Sequence, residues 1–166
     1  MIFYNLDSAD KRGAIEIQTE IPFKTGMHIP SDSNMITNNL FEVSKGKIFY
    51  DTIMFSDSFE HFAISKKLKE LLEVNNICGW TCFPIIIKNH DVEYFVFQPT
   101  FIAGEILNLN KVNNYEENLK FDLNTWNGAG IFSLKNTTLI LCTEFVKDLI
   151  TKNKITNITF EEIKIE

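Results

Sequence analysis

One displacement organises this chain. Moved by 78 positions, residues 63–87 fall on residues 141–165 without a gap. Lys69 meets Lys147, Leu71 meets Leu149, Asn75 meets Asn153 and Ile77 meets Ile155. Thr81 then meets Thr159, Ile85 meets Ile163 and Ile87 meets Ile165. Conservative pairs fill the intervals: Ser65 with Thr143, Leu68 with Val146, Glu70 with Asp148, Leu72 with Ile150. Two unrelated amphipathic helices would match their leucines. They would not also share a cap, an Asn-x-Ile turn and the following strand in one register. The pattern predicts a cap–helix–turn–strand unit used twice, with scaffold at the shared positions. The alternative is two ordinary helix–strand units that share a binary pattern.

The periodicities around that repeat predict the remaining elements. Ser65 can cap a helix over residues 65–75 that turns Leu68, Leu71 and Leu72 inward. Thr143 can cap a second, with Phe145, Val146, Leu149 and Ile150 as its buried stripe. Trp80 to Lys88 and Val92 to Gln98 read as a hairpin around Asn89-His90-Asp91. The second arm is too apolar to be one-sided, which places it centrally in a sheet. Ile131 to Leu134 and Thr137 to Leu141 form another hairpin, and residues 155–165 a last strand. Strand-forming residues recur at Ile2 to Tyr4, Ala14 to Thr19 and Lys47 to Phe55, around a polar loop from Pro22 to Asn39. The expected fold is therefore one α+β domain over residues 1–166. In it a mixed or antiparallel sheet carries two equivalent helix–strand units from an internal duplication (56–166), after a strand-rich N-terminal part (1–55).

Composition narrows the function classes. The 166 residues carry a formal net charge of −6, from 22 acidic against 16 basic side chains. The single arginine is Arg12, and the lysines are scattered instead of striped, so no basic face is formed to displace counterions from phosphates. Nucleic acid is not the expected partner; a basic protein suits the charge. No stretch reaches 18 apolar residues, so no membrane partner is expected. The first residues have none of the basic, apolar and small-residue pattern of a leader, and the odd set Cys78, Cys82 and Cys142 reads as reduced, buried thiols. A cytoplasmic location follows as the expectation.

Motifs for chemistry are missing. His28, His61 and His90 stand apart from one another, and Cys78-x-x-x-Cys82 has no matching pair, so no metal is expected. No nucleophile elbow, phosphate loop or dinucleotide fingerprint occurs; Gly128-Ala129-Gly130 is too short. Asp51, Asp57, Glu60 and Glu93 read as solvated rim carboxylates in preference to an acid–base pair. The reading is a protein without catalytic residues, cofactor or metal. Trp80, between Ile77 and Phe83, is expected to plug the helix–sheet interface.

The run Ser65-Lys66-Lys67-Leu68-Lys69-Glu70-Leu71-Leu72 and Ile77-Cys78-Gly79-Trp80-Thr81-Cys82-Phe83-Pro84-Ile85 continues with Tyr94-Phe95-Val96-Phe97, Gly130-Ile131-Phe132-Ser133-Leu134 and the Thr143-capped helix. Together these resemble a bacterial family first described as a domain of unknown function and later grouped with immunity proteins of polymorphic toxin systems. The likeness spans about residues 47–166 and rests mostly on packing residues. It implies a cytoplasmic protein that binds and neutralises one cognate toxin. A structural or regulatory adaptor and an orphan enzyme are the alternatives, and self-association stays open.

If the shared positions are scaffold, specificity belongs where the units differ. The longest difference is the polar connection 107–130; a loop longer than about 12–15 residues inside a compact domain is usually functional or disordered. Its Tyr115 and Trp126 are candidate partner anchors, and Glu116 and Glu117 would steer a basic partner. The competing reading of Trp126 is a loop tryptophan folded back on the sheet.

Overall fold

Hydroxyl caps start both helices in the computed structural model, which describes residues 2–19, 40–56, 58–105, 107, 120–135 and 137–164. Ser65 and Thr143 hold the same extended backbone, and their side chains accept from the amides of Leu68 and Val146. The helices are α1 (Lys66–Val74) and α2 (Glu144–Lys152), burying Leu68 with Leu72 and Val146 with Ile150. Both end alike. The Asn75 and Asn153 side-chain amides donate to the carbonyls of Leu71 and Leu149 at 2.8 Å, and Asn76 and Lys154 then take φ of 53°. Phe145, expected in the buried stripe, is instead 62 % exposed. The stripe centres on Val146 and Ile150, and the residue just before it is rotated about 100° away.

The strands are β1 (Ile2–Ser8), β2 (Glu16–Thr19), β3 (Leu40–Lys45), β4 (Thr52–Phe55), β5 (Ser58–Ser65), β6 (Trp80–Ile87), β7 (Tyr94–Pro99), β8 (Ile102–Glu105), β9 (Ile131–Lys135), β10 (Ile140–Thr143) and β11 (Ile158–Lys164). The α+β class is as expected, but the single sheet is not. The strands form a closed barrel, β2-β3-β6-β7-β5-β4, and a five-stranded sheet, β11-β1-β10-β9-β8. Nor is the N-terminal part a separate layer: β1 sits between β10 and β11, while β2 to β4 belong to the barrel. Pro84 lies within β6 opposite Phe95, where the pairing to β3 has not yet begun. A residue without an N–H is tolerated on such an unladdered side. The expected loop from Pro22 to Asn39 lies outside the described residues, as do 108–119.

Three apolar clusters result. Ile15, Ile17, Phe41, Ile53, Phe55, Ile85, Tyr94 and Val96 fill the barrel. A central cluster joins both helices to both sheets through Tyr4, Leu6, Phe62, Ile64, Leu68, Phe97, Cys142 and Val146. Trp80 packs against it, stacked on Phe97 with its indole N–H donating to the Ile77 carbonyl at 2.8 Å. The third cluster, on the far face of the five-stranded sheet, holds Phe3, Phe121, Phe132 and Leu141.

The two sheets share one plan. With β3 set aside, the barrel runs β2-β4-β5-β7-β6 and the sheet runs β8-β9-β10-β1-β11, with the same parallel and antiparallel neighbours throughout. Registers agree as well. Ser65 pairs Tyr94 and Ile85 pairs Tyr94; their displaced counterparts Thr143 and Ile163 both pair Phe3. Phe3 therefore stands where Tyr94 stands, and β1 matches β7. Each half of the chain thus places its first strand between two strands of the other half, β1 between β10 and β11 and β7 between β5 and β6. The contacts between halves are reciprocal: the Ala9 amide donates to the Asn157 carbonyl at 2.8 Å, and the Thr100 amide to the Gly79 carbonyl at 2.9 Å. Lys69 and Lys147 sit over the matched rings of Phe95 and Tyr4.

Candidate functional site

The four residues expected to meet a partner share one segment, and the structure describes its root. Tyr115, Glu116 and Glu117 lie outside the described residues. The root closes where the Leu107 amide donates to the Lys120 carbonyl at 2.6 Å. Phe121 then enters the third cluster, 3 % exposed, and the Asp122 side chain caps a single 3₁₀ turn, Leu123–Thr125. The Thr125 hydroxyl accepts from the Gly104 amide at 2.7 Å, fastening the turn to β8. Trp126 faces the sheet. Its ring meets Phe3 edge-on at 5.1 Å and lies 5.9 Å from Phe132, and its indole N–H donates to the Ala129 carbonyl at 3.0 Å. Half-buried with its polar atom satisfied, the indole holds the segment to the scaffold.

The other concentration of polar chemistry is the junction between halves, which sequence reasoning treated only as rim. Asp51 precedes β4. One carboxylate oxygen accepts from the Ser65 hydroxyl, and the other accepts from the Thr156 amide and hydroxyl, all at 2.8 Å. Lys67 stands 3.7 Å away. Beside it Ser8, Thr52 and Asn157 are buried. The Asn157 side chain donates to the Thr52 carbonyl and accepts from the Lys11 amide, and the Thr52 hydroxyl donates to the Asn157 carbonyl. A sequence signal for this did exist. The repeat lays Gly79 on Asn157, two residue types that tolerate positive φ, and their φ values are 93° and 62°.

Asp51 also makes the junction pH-dependent. Burial pushes its carboxyl up, but the bonds from Thr156 and Ser65 and the Lys67 charge outweigh burial and hold it below the ordinary carboxylate range. A folded-state pKa below the unfolded one contributes stability that is fully present above about pH 4 and lost as pH falls through the folded value. Asp51→Asn is therefore expected to cost about 2 kcal/mol at pH 7, with a smaller gap to wild type at pH 3. Thermal melts at both values check this; an equal gap at both would reject it.

Cys142 is buried, with its thiol pushed up to about 12 by that burial. Cys82 is half-buried, and Cys78 is exposed in the turn after α1, against the expectation that all three are buried. Among the described residues, no three His, Cys, Asp or Glu side chains gather to hold a metal ion. A recess of about 70 Å³ between Asn5, Asp7, Phe62 and Thr138 is the size of a few waters, far below the ~300 Å³ of a small-molecule site. Among the described residues no helix is long and apolar enough to cross a membrane. No protein-family model and no curated protein matches this chain.

Proposed function

We propose that this protein is a binding module: an immunity protein that neutralises one cognate, basic bacterial toxin in the cytoplasm. The observation that carries the reading is how the matched positions diverge. Buried pairs keep their character: Leu68 with Val146, Leu72 with Ile150, Ile64 with Cys142. Some exposed positions, and the connections, do not, although Glu70 with Asp148 and Asn75 with Asn153 are kept: Lys67 is matched by Phe145, Val74 by Lys152, and the connection holding β3 by segment 107–130. This is what two copies of one ancestral unit would show after duplication, with packing retained and surfaces freed to serve a partner. The likeness of residues 47–166 to immunity proteins points the same way. In this reading Tyr115, Glu116 and Glu117 meet the toxin, and Trp126 holds their segment in place.

Co-expression with the toxin domain encoded beside this gene tests it. Growth is expected to be restored, and the two purified chains to form a stable complex. Glu116→Lys with Glu117→Lys should slow association about tenfold at low salt, with little effect at high salt, as for exposed steering charges. Failure of the wild type to restore growth or to bind would reject the reading. An adaptor would bind without protecting.

A further inference from the structure

The two-fold plan supplies an internal control for exposed side chains. Val74 is 79 % exposed and Phe145 is 62 % exposed. The displacement of 78 positions matches them with Lys152 and Lys67, both exposed. The fold therefore asks for no apolar group at either place, because the same backbone position elsewhere in the molecule carries a solvated lysine. Phe145 and Val74 are surplus to the scaffold.

They also lie at one end of the helix pair. The Lys67 ammonium donates to the Lys154 carbonyl at 3.3 Å, so the first turn of α1 meets the turn after α2. Reciprocally, the first turn of α2 meets the turn after α1. There the Ile131 amide donates to the Cys78 carbonyl and the Thr143 amide to the Gly130 carbonyl, both at 3.1 Å. A Cβ on Gly130 would touch both Ile77 and Val146. Val74 is the last residue of α1 and Phe145 the second of α2, so both belong to the helix ends that meet there. Glu144 and Asp148 accompany Phe145 on α2, and Glu70 and Glu73 accompany Val74 on α1, all exposed. Lys69 is drawn onto Glu73 and the Phe95 ring, and Lys147 onto Asp148 and the Tyr4 ring. The opposite end instead carries Lys66, Lys67, Lys152 and Lys154. One end of the pair is apolar with a rim of four carboxylates against Lys69 and Lys147; the other carries four lysines against Glu93, which holds Lys66, and Asp51, which faces Lys67.

We infer that the Val74–Phe145 end of the helix pair is a docking surface for a basic segment of a partner protein, with an apolar side chain seated between Phe145 and Val74. Charge complementarity selects that occupant. A second copy laid on the same patch about a two-fold axis would face its carboxylates with like charges. An apolar centre within a polar rim is the usual anatomy of such a contact. The inference deepens the binding function and rests on it only for the partner's biological identity.

The test uses the full ¹⁵N-labelled chain, titrated with a synthetic peptide of lysines and leucines at helical spacing and with its glutamate counterpart. The lysine peptide is expected to shift amides centred on residues 73–78 and 144–148, and to bind at least tenfold more tightly than the glutamate peptide. Phe145→Lys and Val74→Lys each install the residue found at the matched position. Each should hold the melting temperature within about 2 °C and weaken the peptide at least tenfold. Val74→Lys decides alone should Phe145→Lys unfold. Shifts centred elsewhere, equal binding of both peptides, or full binding by the variants would overturn the surface. So would self-association of the free chain that Phe145→Lys abolishes, which would assign the patch to a second copy. A wild type that restores no growth removes the immunity function while the titration still decides the surface. Undiminished growth restoration by Phe145→Lys alongside lost peptide binding would dissociate the patch from the toxin and overturn it as the partner's site.

Discussion

Gly79→Ala is expected to lose roughly 4 kcal/mol, close to the whole stability of a marginal domain. Two effects combine. Gly79 has φ of 93°, where a side chain costs about 1–2 kcal/mol by crowding its own carbonyl. A Cβ there would also stand 1.9 Å from the Ile131 carbonyl oxygen and 2.8 Å from the Ala129 Cβ. The first of these is backbone of the other half, so it cannot swing aside, and forcing the two apart costs about another 1–3 kcal/mol. The melting temperature should fall by roughly 8–16 °C for a chain of this size. The matched position shows how the same turn accepts a side chain. Asn157 sits at φ of 62°, with its amide turned into the buried junction to bond the Thr52 carbonyl. A melting temperature within 2 °C of wild type in Gly79→Ala would mean that the halves are not pressed together at this point.

What was legible in the sequence follows from which interactions are local. The caps at Ser65 and Thr143, the Asn-x-Ile turns and the hairpin β6–β7 are decided within a dozen residues, and all appear where the spacing placed them. The match of β1 to β7 was illegible, because Phe3-Tyr4-Asn5-Leu6 and Tyr94-Phe95-Val96-Phe97 share no identical residue at matched positions. Only their pairing registers reveal it. Closure of the barrel is equally non-local, since it depends on β3 reaching both β2 and β6. β5 was missed because Ser58-Phe59-Glu60-His61 reads as polar, although Phe62, Ala63 and Ile64 are buried. Phe145 is the most instructive case. Helical period put it in the core, while the repeat, by laying it on Lys67, already pointed outward.

Of the candidate site, the position of the segment in the chain was legible and the direction of its tryptophan was not. Leu123-Asn124-Thr125 and Asn127-Gly128 around Trp126 suggest solvent, but they are polar because they build a turn. Asp122 accepts from the Asn124 amide, and the Thr125 hydroxyl donates to the Asp122 carbonyl. That turn reverses the chain and aims the indole at Phe3. Trp126→Ala should therefore cost about 3 kcal/mol, the low end of the range for truncating a buried aromatic, because one edge of the ring is exposed. The melting temperature should drop by roughly 6–12 °C. Trp126→Phe keeps the ring against Phe3 but strips the Ala129 carbonyl of its donor, for about 1 kcal/mol. Well below the melting temperature, affinity for the partner proposed above should change less than threefold in Trp126→Phe, since the root of the segment is kept. The opposite result is equally definite. An unchanged melting temperature in Trp126→Ala, with dissociation some thirtyfold faster as for a hot spot worth ~2 kcal/mol, would move the indole out of the fold and into the partner's pocket.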